Sequence, residues 1–317
     1  MFPNANFGHI SECASFTAER LSRVRSALAE LEQSGIAVVV NGSYARGKAS
    51  EGSDFDYFLL VPDHMAPDEL HAAHNRVKQV VTAEIGKEPS AEGAFSAIEK
   101  LGEFAKVIGG QEDTNQQTTR RMLFLTEGKA VCGQATFEKQ RKTLVTEMYI
   151  REGTTDHQLG LFLLNDIIRY GRTMCVDFEN KTVQNKKPWG IRNIKLVFSR
   201  KLLYFAGVLI CAELAQRTLQ QKRDRAVELM DMTPLERVIA VCGRSAERAL
   251  EDYDYFLGML RQSSVRADLD EIKEARDSHS ELFRSMKNRG HHFSMHLISA
   301  LDATYPAVHP IHKALIM

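Results

Sequence analysis

Four residues near the start of the chain, Gly42, Ser43, Asp54 and Asp56, join a small flexible turn to a pair of carboxylates one residue apart. In a strand, side chains two positions apart point the same way, so Asp54 and Asp56 should project from one face while Phe55 and Tyr57 occupy the other. Two like charges this close are costly unless a cation sits between them, and hard oxygen ligands select Mg²⁺ or Mn²⁺. Gly42 lets backbone approach a ligand with no Cβ in the way, and Ser43 offers a hydroxyl and an amide N–H to phosphate oxygens. The carboxylates read as half a metal site and the turn as a phosphate cradle. Transfer of a nucleoside monophosphate needs both, because the metal neutralises the triphosphate and the cradle holds it in line.

These residues depend on their flanking elements. Phe16, Leu21, Val24, Leu28 and Leu31 recur at helical spacing, and Gly35 follows as a stop signal. The run Ile36 to Val40 is β-branched and reads as a buried strand that ends in the small-residue loop NGSYARGKASEGSD; FDYFLLV, Phe55 to Val61, reads as a second strand. Pro67 opens a helix to about Ile85, and the stretch from Gly86 to Gly110 is broken by glycine. From Asn115 onward the pattern is helical throughout: a turn-containing segment to Leu144, then Asp156 to Val176, Ile191 to Arg217, Pro234 to Leu260 and Glu271 to Met286. Two domains are expected, residues 1–115 and 116–317.

A hydrophobic strand, Gly-Ser, ten intervening residues and then Asp-x-Asp resembles the signature of the DNA polymerase β nucleotidyltransferase superfamily, and GSYARGKASEGSDFD is close to its stand-alone bacterial members. Asn41 departs from the pattern, where an apolar residue is commoner. The resemblance implies an α+β fold, a small mixed-sheet nucleotidyltransferase core packed against an α-helical domain. It also implies Asp54 and Asp56 as catalytic metal ligands for Mg²⁺ or Mn²⁺, Gly42 and Ser43 on the β and γ phosphates, and an NTP such as ATP as substrate. Arg46 and Lys48, on the same loop, either add charge to the phosphates or are solvated. The family usually places a third carboxylate on a following strand; Glu84, Glu88, Glu92 and Asp113 qualify by position, and none lies in an apolar-acid-apolar pattern. The segment Val107 to Val131 is loosely similar to the region joining the catalytic and helical parts of enzymes like the protein-PII uridylyltransferase, and there Asp113 or Thr114 suits a helix cap. In the helical half, Lys195 and Ser199 resemble the lysine and serine that such lobes supply to the triphosphate, with a solvated helix face as the alternative. Asn165, Arg169 and Arg172 share another face, suited to phosphate or to a structural ion pair.

Lysine plus arginine and aspartate plus glutamate each number 41, so there is no global field to draw in long nucleic acid or an anionic membrane. The five cysteines are scattered without metal-site spacing, which points to reduced buried thiols. The opening residues lack a signal-peptide pattern, and a cytoplasmic protein is expected. HHxxxH at His291, His292 and His296 lacks the acidic partner of a zinc helix, DYDY at Asp252 to Tyr255 reads as a solvated helix face, and Trp189 as core. The acceptor stays open among protein, tRNA, another nucleotide and a small molecule, as does the oligomeric state. A cyclic-oligonucleotide signal synthase, an NTP-sensing module without catalysis and a helical interaction scaffold are the alternatives.

Overall fold

A computed structural model of the chain describes residues 7–87, 98–104, 108–184, 187–277 and 279–316. Its contacts divide the chain into two compact units, one of Cys13–Leu163 with Glu213–Thr233 and the other of Met1–Glu12, Leu164–Ala212 and Pro234–Met317. In chain order the elements begin with helix α1 (Gly8–Ala27), strand β1 (Ala37–Val40), the short helix α2 (Gly42–Ala45), β2 (Tyr57–Val61) and α3 (Pro67–Ile85). There follow β3 (Ile98–Lys100), α4 (Leu101–Phe104), α5 (Asn115–Thr126), β4 (Lys129–Cys132) and α6 (Gln134–Thr143). The remaining helices are α7 (Leu161–Glu179), α8 (Trp189–Lys195), α9 (Lys201–Ala212), α10 (Leu219–Asp231), α11 (Pro234–Cys242), α12 (Glu247–Arg261), α13 (Ser263–Glu271), α14 (Glu281–Thr304) and α15 (Pro310–Ala314). The fold is α+β, as expected.

The sheet of the first unit runs in the order β3-β2-β1-β4. β1 is antiparallel to both neighbours, and β2 lies parallel to β3. Strands covered on both faces read as continuous apolar runs, which is why AVVV and YFLLV show no alternation. One face carries Val38, Val40, Tyr57, Leu59 and Val61, which join Val24 of α1, Leu28 just after it, and Val77 and Val81 of α3 in a single core. The other face is aromatic. Phe58 stacks on Phe104 at 5.9 Å between centroids, Phe104 meets Phe124 edge-on at 5.2 Å, and Phe124 meets Phe137 at 4.8 Å, so α4, α5 and α6 cover it. Each ring buried in this way contributes on the order of 1.5–3 kcal/mol.

Local signals explain the boundaries. Pro67 supplies the preset φ of a first helical turn, Glu69 reaches back to the Ala66 N–H, and Gly86 ends α3 with φ +78°. α1 starts well before the expected Phe16. The all-helical reading beyond residue 115 is corrected by β4, which pairs with the free edge of β1 and brings residues past that boundary into the sheet. Four residues between two helices are too short to show a period. α10 and α13 were not anticipated. The expected helix Glu271 to Met286 is replaced by α14, which runs to Thr304, while a π-helical segment Leu196–Arg200 and a 3₁₀ turn Gly243–Ala246 interrupt the two long helices expected upstream.

In the second unit Phe198 stacks on Phe256 at 4.7 Å and on Phe293 at 5.2 Å. Trp189 is half-buried and packs between Phe178 and Phe283. The DYDY reading needs correction: Asp252 is buried, forms an ion pair with Arg289 at 2.5 Å and a hydrogen bond with His296 Nδ1 at 2.7 Å, and only three-dimensional packing brings those partners to it. Four cysteines are buried and Cys175 is exposed, all as free thiols. No helix among the described residues is long and apolar enough to cross a membrane.

Asp113 has a structural partner. Thr114 caps α5 by accepting from the Gln117 N–H, while Asp113 accepts from Gly109 N–H and forms a two-pronged pair with Arg121 at 2.9 and 3.0 Å, both side chains buried. Breaking a buried pair from one side leaves an uncompensated charge. Asp113→Ala is therefore expected to cost about 3–5 kcal/mol, read as a lower urea midpoint at unchanged slope, and Asp113→Leu with Arg121→Met should recover most of the loss.

Candidate active site

The β1–β2 ladder brings the motif together. Its register pairs Val40 with Tyr57, and one further bond, Asn41 N–H to the Asp56 carbonyl at 2.8 Å, extends the pairing a step past both strands. The next residue on one side is Gly42, and Asp56 stands on the other. Gly42 adopts φ +69°, and a Cβ placed on it would lie 2.6 Å from Asp56 Oδ2. Glycine is required twice over here, for the backbone angle and for room beside the carboxylate.

Asp54 and Asp56 lie in the extended stretch leading into β2 and not within the strand: past the single Asn41–Asp56 bond the first chain turns into α2. Their expected alternation with the aromatics persists. Phe55 and Tyr57 enter the core, Tyr44 packing on Phe55 at 4.9 Å. The two acids differ in setting: the Asp54 side chain is 72% exposed with Lys87 Nζ at 3.6 Å, whereas Asp56 is half-buried against the loop. Lys87 also donates to the Gly52 carbonyl at 3.0 Å. Behind the loop, Asn41 is fully buried, and its Oδ1 and the Tyr57 hydroxyl have no hydrogen-bond partner among the described residues. Burial pushes the Tyr57 phenol up to about 12, so it stays protonated at neutral pH.

Glu127, which sequence reasoning overlooked, lies at the centre of this arrangement. It follows α5 directly, its side chain is 1% exposed, and Oε1 accepts the Gly42 N–H at 2.9 Å while Oε2 accepts Arg46 Nη1 at 2.5 Å. A single acid in the apolar run LFLTEGKAV was the available signal, since an isolated carboxylate in such a run is buried only when paired. Arg46 is thus not a solvated loop residue: it is held by an acid 81 residues away in sequence. Ser43 and Lys48 are half-buried, joined through Lys48 N–H to the Ser43 carbonyl at 2.8 Å.

The other candidates are placed as follows. Lys195 and Ser199 belong to the second unit; Lys195 is exposed, and Ser199 Oγ lies 3.3 Å from the Tyr253 hydroxyl. Asn165 and Arg172 are exposed on α7. Of the third-carboxylate candidates, Glu88 and Glu92 lie outside the described residues, Asp113 is taken by Arg121, and Glu84 ends α3. Glu99 is an acid on the strand following β2, paired with Arg120 and raised above the usual carboxylate range by burial. Its register partner is Leu60, four residues past Asp56, so it stands roughly 13 Å farther along the sheet.

Among the described residues no group of three or more His, Cys, Asp or Glu could hold a metal ion. The Asp56 carboxylate beside a turn too tight for a Cβ, with Asp54 two residues before it, is a donor set that suits a divalent cation held by one or two acids together with substrate phosphates and water. Residues 21–140 match the family model of the nucleotidyltransferase domain, a span that includes β1, the loop, both aspartates, Glu127 and β4. No curated protein matches the chain.

Gly42→Ala follows directly from the geometry. The methyl group should displace the Asp56 carboxylate and cost on the order of 1–2 kcal/mol of stability from the positive φ. Nucleotide turnover should fall by far more than the melting temperature explains; normal turnover in a folded Gly42→Ala protein would show that Asp56 is not needed where it stands.

Proposed function

We propose that this protein moves a nucleoside monophosphate from an NTP to an acceptor hydroxyl or phosphate, a reading supported by the match of residues 21–140 to the nucleotidyltransferase domain model. An acceptor oxygen bonds to the α-phosphorus, the bond from that phosphorus to the β-phosphate bridge breaks, and pyrophosphate leaves. The observation that supports this most directly is the packing of Gly42 against Asp56, which puts a carboxylate beside a backbone turn that admits no side chain.

In this reading Asp54 and Asp56 hold Mg²⁺ or Mn²⁺. The cation neutralises charge on the triphosphate and on the departing pyrophosphate. Asp54 is open to solvent and Asp56 lies against Gly42, so the cation would be held between an exposed acid and one fixed at the loop. Ser43 offers its hydroxyl and amide N–H to the phosphates, and Arg46 offers guanidinium N–H groups in a planar fork suited to phosphate oxygens. Gly42 serves the site by what it lacks, because its own N–H is committed to Glu127. Lys195 and Ser199 are proposed as further triphosphate contacts; the aspartates and the loop stand without them. The two half-domains are proposed to divide the work between chemistry in the sheet-bearing part and substrate recognition in the helices.

The acceptor is tested together with the reaction. Purified protein is incubated with each of the four α-labelled NTPs and Mg²⁺ or Mn²⁺, with and without cell lysate, beside the Asp54→Ala/Asp56→Ala double variant. Label in a new product, lost in the double variant and on chelation with EDTA, is the expected result, and the size of the product separates protein, tRNA, nucleotide and small-molecule acceptors. NTP binding with no movement of label or pyrophosphate under any condition would replace transfer with nucleotide sensing.

A further inference from the structure

We propose that Glu127 is the positioning residue of the nucleotide loop, a buried acid that sets both the Gly42–Ser43 turn and the direction of the Arg46 guanidinium toward the phosphates. This rests on the nucleotidyltransferase reading. One carboxylate spans the loop, with one oxygen on the first amide of the turn and the other on the arginine four residues later. The Gly42 bond is 2.9 Å and the Arg46 bond 2.5 Å, and a carboxylate with charged or backbone N–H partners makes hydrogen bonds roughly twice as strong as neutral pairs.

The acid is itself held firmly. Glu127 N–H and Gly128 N–H both donate to the Leu123 carbonyl, at 3.2 and 2.7 Å, which closes the end of α5. A Cβ on Gly128 would come within 2.8 Å of the Phe124 carbonyl oxygen, so the chain passes this point with no slack. Phe124 is locked in the aromatic layer under the sheet, and β4 begins at the next residue, Lys129. The carboxylate is thus fixed by the sheet and its covering helix, and the loop is fixed by the carboxylate.

Two consequences follow for nucleotide binding. The Gly42 N–H is satisfied within the protein, so the backbone donor left to a phosphate at the head of the turn is that of Ser43. The Arg46 charge is balanced before the nucleotide arrives, which lets a guanidinium that is only 19% exposed wait in one orientation. Glu127→Gln keeps an oxygen for the Gly42 N–H and removes the charge that orients Arg46. Its effect should therefore run through Arg46.

The test is a double-variant cycle on binding. Whichever NTP the labelling experiment selects is titrated with Mg²⁺ into wild type, Glu127→Gln, Arg46→Met and the double variant by calorimetry, each checked for folding by thermal melting. Glu127→Gln is expected to weaken binding about tenfold and Arg46→Met at least as much, with the double variant no weaker than Arg46→Met alone. Amide exchange at Gly42 should stay slow in Glu127→Gln and become fast in Glu127→Ala. Unchanged or tighter binding by Glu127→Gln, or effects that multiply in the double variant, would overturn the positioning role and leave the nucleotidyltransferase reading intact. A wild type that binds none of the four NTPs overturns that reading first.

Discussion

The antiparallel pairing of β1 with β2 carries the rest of the site. Register in a ladder is discrete: a slip of one residue turns every side chain to the opposite face. With Val40 opposite Tyr57 and Asn41 bonded to Asp56, the loop head and the second aspartate meet with no freedom to drift. Both strands are buried on both faces, against α1 and α3 on one side and against the aromatic layer of α4 to α6 on the other. A slip would have to repack two cores at once, so the geometry of the loop head and Asp56 is maintained by apolar packing on both faces of the sheet.

Charge is handled locally and in pairs. The chain has equal numbers of acidic and basic residues, and its buried charges carry partners: Asp113 with Arg121, Glu127 with Arg46, and Asp252 with Arg289 and His296. Buried Arg141 lies over the Phe137 ring at 4.2 Å, donates to the Gly128 carbonyl and pairs with Asp231. Asp54 differs, since its side chain is largely open to water with Lys87 at the edge of contact. An acid left in solvent next to a second acid is electrostatically unfavourable in isolation and favourable around a cation, which sets this pair apart from the structural ion pairs around it.

How much was legible follows from how local each signal is. The strand, Gly-Ser, loop, Asp-x-Asp order lies within about two dozen residues and was read whole, as were α3 with its proline start and glycine stop. β4 was missed because four residues show no period and become a strand only when an edge is offered. Glu127 was missed because its partners are 85 and 81 residues away and nothing in its neighbourhood of sequence points to them. The burial of Asp252 was missed because its partners sit on another helix.

The sequence by itself determined the nucleotidyltransferase motif, with its order and spacing, and the α+β character of the fold. These depend on residue type and short-range spacing, which survive in an unfolded chain. The tertiary structure alone decided that Asp54 and Asp56 stand in different environments, that Gly42 gives its N–H to Glu127, and that Arg46 is held by a buried acid. Each of these depends on which distant groups exclude water from one another, and that is settled only when the sheet closes and its two faces are packed.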